Sequence, residues 1–149
     1  MLSQQEMSDR WEIQDLVFHY AHLIDTKSFD DLRDVFTVDA HIDYSVFGGS
    51  VGDLETTIAY LKEAVSEGVF PNSQHLNANV QVSVEGDTGK GRVMCYNPME
   101  MAMPDGSTQV FMLGLWYVDE YRRTDVGWRI SRRAEEKSWV FNVPDFMGL

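Results

Sequence analysis

The sequence predicts an α+β fold in which helices occupy the first half of the chain and one curved, antiparallel (mixed) sheet is made by the second. Three observations predict it. Apolar residues recur at helical spacing before residue 68. They alternate with polar residues along four long stretches after residue 75. Those stretches are joined by the turn motifs "EGDTG", "PDGS" and "DVG". Helices first and a strand meander afterwards is the α+β pattern. At 149 residues the chain has the length of a single domain, 1–149, with enough material for a core and a pocket.

The first helix is predicted from Ser8, a suitable N-cap, through "HYAHLID" to Asp25. Ile13, Leu16, Val17, Tyr20 and Ile24 form its apolar stripe, and His19 and His22 project away from it. Asp25 lies off the stripe, at the terminus where the chain turns. "SFDDLRDVFT" reads as a short second helix with Phe29, Leu32, Val35 and Phe36 inward. "AHIDYSVFGG" alternates, with Ile42, Tyr44 and Val46 on one strand face. "LETTIAYLKEAVSEG" is a third helix that carries Leu54, Ile58, Leu61 and Val65 inward and stops at Gly68. In "SQHLNANVQVSVEG", Leu76, Ala78, Val80, Val82 and Val84 share one face, which leaves His75 on the other. Three long strands complete the sheet, so a pocket is expected between its inner face and the N-terminal helices.

Composition excludes several functions. Twelve basic against 24 acidic residues give a net charge of −12, the wrong sign for nucleic acid or an anionic membrane. No apolar run approaches the roughly 20 residues of a membrane span, and "MLSQQEMSDR" has no leader pattern. The one cysteine, Cys95, allows no intramolecular disulfide, which suits a cytoplasmic protein. There is no phosphate loop, GxGxxG, G-x-S-x-G or HExxH motif. The histidines at 19, 22, 41 and 75 have no metal-ligand spacing, so neither a metal nor a cofactor is expected.

His75 is set apart by its surroundings. It opens a strand among amides and a hydroxyl in "NSQHLNAN", at the parity opposite the apolar set, which faces either solvent or the polar part of a pocket wall. Histidine is the natural general base near neutral pH, and it works best when a carboxylate orients it. Asp25 is a candidate for that partner.

These segments resemble a known family. "EIQDLVFHYAHLIDTKSFDDLRDVFTVDAHIDY", "QHLNANVQV" and "YRRTDVGWRISRR" are similar to the opening block, middle strand and final hairpin of the SnoaL-like branch of the nuclear-transport-factor-like superfamily, the α+β cone fold. Within it the pattern resembles scytalone dehydratase, bile-acid 7α-dehydratase and hexachlorocyclohexane dehydrochlorinase. The resemblance implies that Asp25 and His75 are a catalytic dyad and that Tyr20 and Tyr44 are pocket tyrosines. It also implies that Arg132, four residues after Trp128, is a pocket arginine. Asn77, Asn97, Met112 and Trp116 are further candidates for the substrate-binding wall. The second pocket histidine of scytalone dehydratase has no counterpart, because no histidine follows His75.

The implied activity is that of a cofactor-independent lyase, a dehydratase acting on a small hydrophobic cyclic substrate through the Asp25–His75 base. A ketosteroid-isomerase-like isomerase or polyketide cyclase would use the same base. A noncatalytic ligand-binding or scaffolding module would keep Asp25 and His75 as a structural hydrogen bond. An enzyme should keep a cavity with the dyad in contact and the tyrosine hydroxyls converging, whereas a scaffold should fill it. The expected partners are a small hydrophobic ligand and further copies of the chain, in a homodimer or homotrimer.

Overall fold

The computed structural model describes all residues, 1–149. Helix α1 runs Gln4–Asp25, five residues longer at its start than a Ser8 cap allows. The earlier start comes from Ser3, whose hydroxyl accepts from the Glu6 N–H while the Glu6 carboxylate accepts from the Ser3 N–H. This capping box is written in the sequence as "SQQE". Ile13, Leu16, Val17, Tyr20 and Ile24 are buried, and His19 and His22 are exposed, as the periodicity requires.

The end of α1 is sharply defined. Ser28 N–H bonds back to Leu23 O, and Lys27 N–H to Ile24 O, with Lys27 in the left-handed region at φ 60°. That is a Schellman closure with lysine where glycine is usual, a conformation that costs a non-glycine residue about 1 kcal/mol or more. It fixes the direction in which Asp25 leaves the helix.

The "SFDDLRDVFT" segment forms a 3-10 helix, Phe29–Asp34, rather than an α-helix. Strand β1 is Phe36–Asp43, followed by β2, Val51–Gly52. Tyr44 and Val46 therefore leave the strand: Tyr44 is buried just past its end, and Val46 is exposed. Gly49 folds back on Tyr44, with its N–H on the Tyr44 carbonyl at 2.9 Å. A Cβ at Gly49 would sit 2.7 Å from the Tyr44 Cβ, so only glycine fits this turn. Helix α2, Leu54–Ala64, is capped by the Asp53 carboxylate on Thr56 N–H.

The remaining strands are β3, Asn72–Ser73; β4, Leu76–Glu85; β5, Thr88–Ala102; β6, Thr108–Thr124; and β7, Gly127–Phe141. They form one seven-stranded sheet in the order β2-β1-β7-β6-β5-β3, with β4 also paired to β5. Only the β1–β7 pair is parallel, so the sheet is mixed. The helices cover its inner face and enclose a core of 27 buried apolar residues. Each fully buried side chain of this kind contributes about 1.5–3 kcal/mol of transfer free energy.

Bulges in β4 and β7 reset the strand parity beside the site. In β4 the register shifts between Ala78 and Gln81, where Asn79 adopts φ 46°. Before the bulge His75 and Asn77 turn inward and Leu76 and Ala78 outward; after it Val80, Val82 and Val84 turn inward. The five apolar residues read as one face are thus split between two. In β7 the register shifts beside Ser131, between the Tyr121–Ile130 and Glu120–Arg132 pairs. Trp128 and Ile130 are inward before it, and Arg133 is inward after it. A bulge adds one residue to one strand and so flips every later side chain.

Candidate active site

Asp25 and His75 meet where the end of α1 faces the junction of β3 and β4. His75 Nδ1 lies 2.6 Å from Asp25 Oδ1, and His75 N–H donates to Asp25 Oδ2 at 2.9 Å. The Ser73 hydroxyl donates a third hydrogen bond to Oδ1 at 2.9 Å. Burial works against the Asp25 charge, but the bonds from His75 and Ser73 outweigh it and hold the carboxyl below its usual range. An ionised Asp25 requires the proton on Nδ1, which leaves the Nε2 lone pair of a neutral His75 as the basic position. Nε2 has no hydrogen-bond partner in the protein, and His75 lines a cavity. Asn97 supports this corner. It is buried in the cavity wall, and its amide donates to Gln74 O at 2.9 Å, one residue before the histidine. Lys27, which the sequence reading did not single out, lies close enough for the Asp25 charge to act on it, with a buried and unpartnered Nζ.

Tyr20 and Tyr44 converge as a pair. Their hydroxyls are 2.6 Å apart, and both rings are buried in the cavity wall. Burial raises the Tyr20 phenol to about 12, even though Arg133 acts in the opposite direction. Burial likewise holds Tyr44 well above its ordinary value. Both are therefore neutral hydrogen-bond donors, and one of the two protons is used inside the pair.

The cavity has a volume of about 120 Å³. Fifteen of its nineteen lining residues are hydrophobic, so a ligand must be apolar over most of its surface. A larger groove of about 620 Å³ is lined by ten residues, eight of them polar, charged or glycine, and includes neither His75 nor the tyrosine pair.

Four expected wall residues lie elsewhere. Arg132 is exposed, because the bulge beside Ser131 passes the inward position to Arg133. Arg133 is fully buried, in a two-pronged ion pair with Asp119 at 2.7 and 2.8 Å. It is stacked between the rings of Tyr20 and Tyr117, 4.1 and 4.0 Å from their centroids, and so backs the tyrosine pair without lining the cavity. Trp116 and Met112 sit at even positions of β6, whereas the cavity takes the odd ones, Phe111, Leu113, Leu115 and Tyr117. On the outer face Trp116 stacks under Arg92 at 4.0 Å, and Met112 accepts from the Tyr96 hydroxyl. Asn77 does turn inward, but toward α1, where its amide holds the Val17 carbonyl at 3.1 Å.

The sequence reading also missed Glu135. It lies two residues beyond Arg133 in β7, so it shares that residue's inward parity, and it lines the cavity. Its carboxyl makes no hydrogen bond within the protein. Burial raises it to about 8, with Arg133 opposing and Asp43 adding to the rise. It is partly exposed, and it is one of the residues that line the cavity. Locating the Ser131 bulge would have been enough to find it.

Fold and site together define a small α+β protein with a half-buried histidine–carboxylate pair opening into an apolar cavity. A family model, the SnoaL-like domain, matches residues 5–134, and the chain belongs to that family. An uncharacterized protein of Mycobacterium tuberculosis is 47% identical over 137 residues, covering 92% of this chain and 90% of that one. Among solved structures, a candidate scytalone dehydratase from Novosphingobium aromaticivorans superposes with a TM-score of 0.80 at 14% identity, covering 96% of this chain and 93% of that one. A hexachlorocyclohexane dehydrochlorinase from Novosphingobium barchaimii superposes at 0.77 with 19% identity, covering 95% and 94%. At those identities the two structures establish the shared fold.

Proposed function

We propose that the protein is a dehydratase-like lyase that removes a proton from a small, hydrophobic, cyclic substrate using its own side chains. The observation that carries this reading is the 2.6 Å contact from Asp25 to His75 Nδ1, with Nε2 left free at the cavity. Asp25 orients the ring and stabilises the imidazolium formed when Nε2 takes a proton. The Tyr20–Tyr44 pair has one hydroxyl proton left to donate to a carbonyl oxygen as it gains charge. The cavity remains open rather than filled by side chains, which favours catalysis over a scaffolding role. The dehydratase and dehydrochlorinase folds among its structural neighbours favour an elimination.

Cavity size narrows the substrate. Its 120 Å³ is below the roughly 300–1,000 Å³ of pockets for drug-sized ligands. It is close to the cavity of about 150 Å³ that accepts benzene in another protein. A single six-membered ring is the natural occupant. The test is a panel of monocyclic hydroxy ketones followed by absorbance of the conjugated product. Turnover by the wild type that is abolished in His75→Gln supports the reading, and equal turnover in both refutes it.

The chain is also proposed to act as a homodimer or homotrimer through the outer sheet face, where Leu76, Tyr96, Val110, Val118, Trp139 and Phe141 are exposed. Light scattering on the eluting protein checks this, and a monomeric mass at micromolar concentration overturns it.

A further inference from the structure

A base removes one proton, but elimination of water needs a second. Hydroxide is a poor leaving group, so an acid must protonate it as the C–O bond breaks. The tyrosine pair is badly suited: Tyr20 is raised to about 12 and Tyr44 lies well above its ordinary value. One other ionisable group in the wall has no partner. The Glu135 carboxyl lines the cavity and makes no hydrogen bond within the protein. Glu135 stands on β7 and His75 at the start of β4, with β5 and β6 between them in the sheet. The two side chains therefore reach the cavity from different walls, an arrangement open to an acid and a base acting at neighbouring carbons.

We propose that Glu135 is the proton donor of this cavity, a neutral carboxylic acid that protonates the departing hydroxyl of a single-ring β-hydroxy ketone. The inference rests on the His75 reading and extends it. His75 Nε2 takes the proton from the carbon next to the carbonyl, and the C–H electrons form an enolate whose oxygen accepts a hydrogen bond from the tyrosine pair. The enolate then re-forms the carbonyl and makes the C=C bond as the C–O bond breaks. The Glu135 O–H proton passes to the leaving oxygen, giving water and the conjugated ketone. The His75 proton returns to Glu135 through solvent, so the cycle balances without an oxidant or reductant.

The surroundings of Glu135 suit a neutral acid. Arg133, its charged neighbour on β7, is already paired with Asp119. Asp43 of β1 adds a like charge. The Glu135 charge would also bear on Tyr20, Tyr60 of α2, Cys95 of β5 and Tyr117 of β6, buried or half-buried groups none of which donates a hydrogen bond to it. A carboxyl raised to about 8 holds its proton at neutral pH and can still release it, as catalysis requires.

Two substrates separate the roles. With 3-hydroxycyclohexanone as probe, Glu135→Gln should lower kcat by about 10²–10⁴-fold, because an amide fills the same space but delivers no proton. With 3-chlorocyclohexanone, whose chloride departs unprotonated, that loss should shrink to within about tenfold, while His75→Gln stays defective on both. Equal losses for Glu135→Gln on the two substrates overturn the acid role and leave His75 intact. Full activity of His75→Gln refutes the base instead. A substrate-free measurement decides the protonation state. Carbon-13 titration of the Glu135 carboxyl should give a midpoint near 8, and a midpoint in the ordinary range of about 4–5 overturns the proposal. A carboxyl that binds its proton more tightly folded than unfolded destabilises the fold as pH rises above the unfolded value. Wild-type Tm should therefore fall between pH 5 and pH 8 by more than that of Glu135→Gln.

Discussion

Two carboxylate-centred networks lie on the inner side of this molecule, and they are built to opposite rules. Around Asp119, both oxygens are bonded to Arg133, Oδ2 also accepts from the Tyr121 hydroxyl, and both members of the ion pair are fully buried. Only Nη1 of Arg133, held between aromatic rings, lacks a partner. Around Asp25 the carboxylate is equally satisfied, but the group it orients is not: His75 presents an unused Nε2 to a cavity. Glu135 presents an unused carboxyl to the same space. A closed network of this kind resists loss of any member, because a buried charge left alone is costly. An open one leaves its desolvated groups to be satisfied by a ligand. The difference is one of saturation: the closed network has one unpartnered atom, whereas the open one turns its free groups toward the cavity.

The largest expected effect comes from the open network. His75→Gln should cost about 10²–10⁴-fold in kcat and no more than about 1.5–3 kcal/mol in stability, from the Nδ1 bond to Asp25 that goes with the ring. If Tm collapses instead, the contrast between the networks fails. Next is the closed network. Asp119→Ala should destabilise by about 3–5 kcal/mol, or roughly 6–20 °C in Tm for a chain of this size, read by thermal and urea unfolding. Replacing both partners, as Asp119→Leu with Arg133→Met, should recover much of that loss, because no charge is then stranded.

A smaller effect tests the tyrosine pair, which is stacked on Arg133 of the closed network and lines the cavity of the open one. Tyr44→Phe should lower kcat by about 10²–10³-fold if the hydroxyl pair stabilises developing charge, and should leave KM nearly unchanged. A packing role alone would move Tm and leave kcat at the wild-type value.

The smallest effect concerns a third network that resembles the closed one but lies nearer the surface. Asp9 accepts from Arg123, Trp128 and Gln5, and these bonds, led by Arg123, lower its carboxyl. A depressed carboxyl stabilises the fold above its unfolded value of about 3.8, and that contribution is lost as pH falls through the folded value. Asp9→Asn should therefore melt a few degrees below wild type at pH 7, and the gap should close toward pH 3.

The legible parts of the site were those with a local signature. Tyr20 lies on a helical stripe, and period alone places it in the core. Asp25 was identifiable only as a residue at a helix end, and its bond to His75 spans 50 positions that no periodicity connects. The tyrosine pair spans 24. Trp116 and Met112 were assigned to the cavity without a parity count, and their alternation with Leu115 and Leu113 in β6 would have put them outside. Arg132 fails for a different reason. The resemblance placed it by its distance from Trp128, and the extra residue beside Ser131 turns that position outward and Arg133 inward.

The sequence by itself determined the order of helices and strands, the buried stripe of α1, the alternation within each unbroken strand and the net negative charge. These follow from local periods and composition, which each segment carries wherever it is placed. Tertiary structure alone decided which polar groups share the cavity. It closed α1 at a strained lysine so that Asp25 meets His75, and its bulges at Asn79 and Ser131 reset the parity of β4 and β7. A bulge is set by how two strands must bend to cover the same core, so the energy that selects it belongs to the pair and not to either strand. For that reason His75 could be singled out from the chain, while Arg133 and Glu135 became visible only once the sheet was assembled.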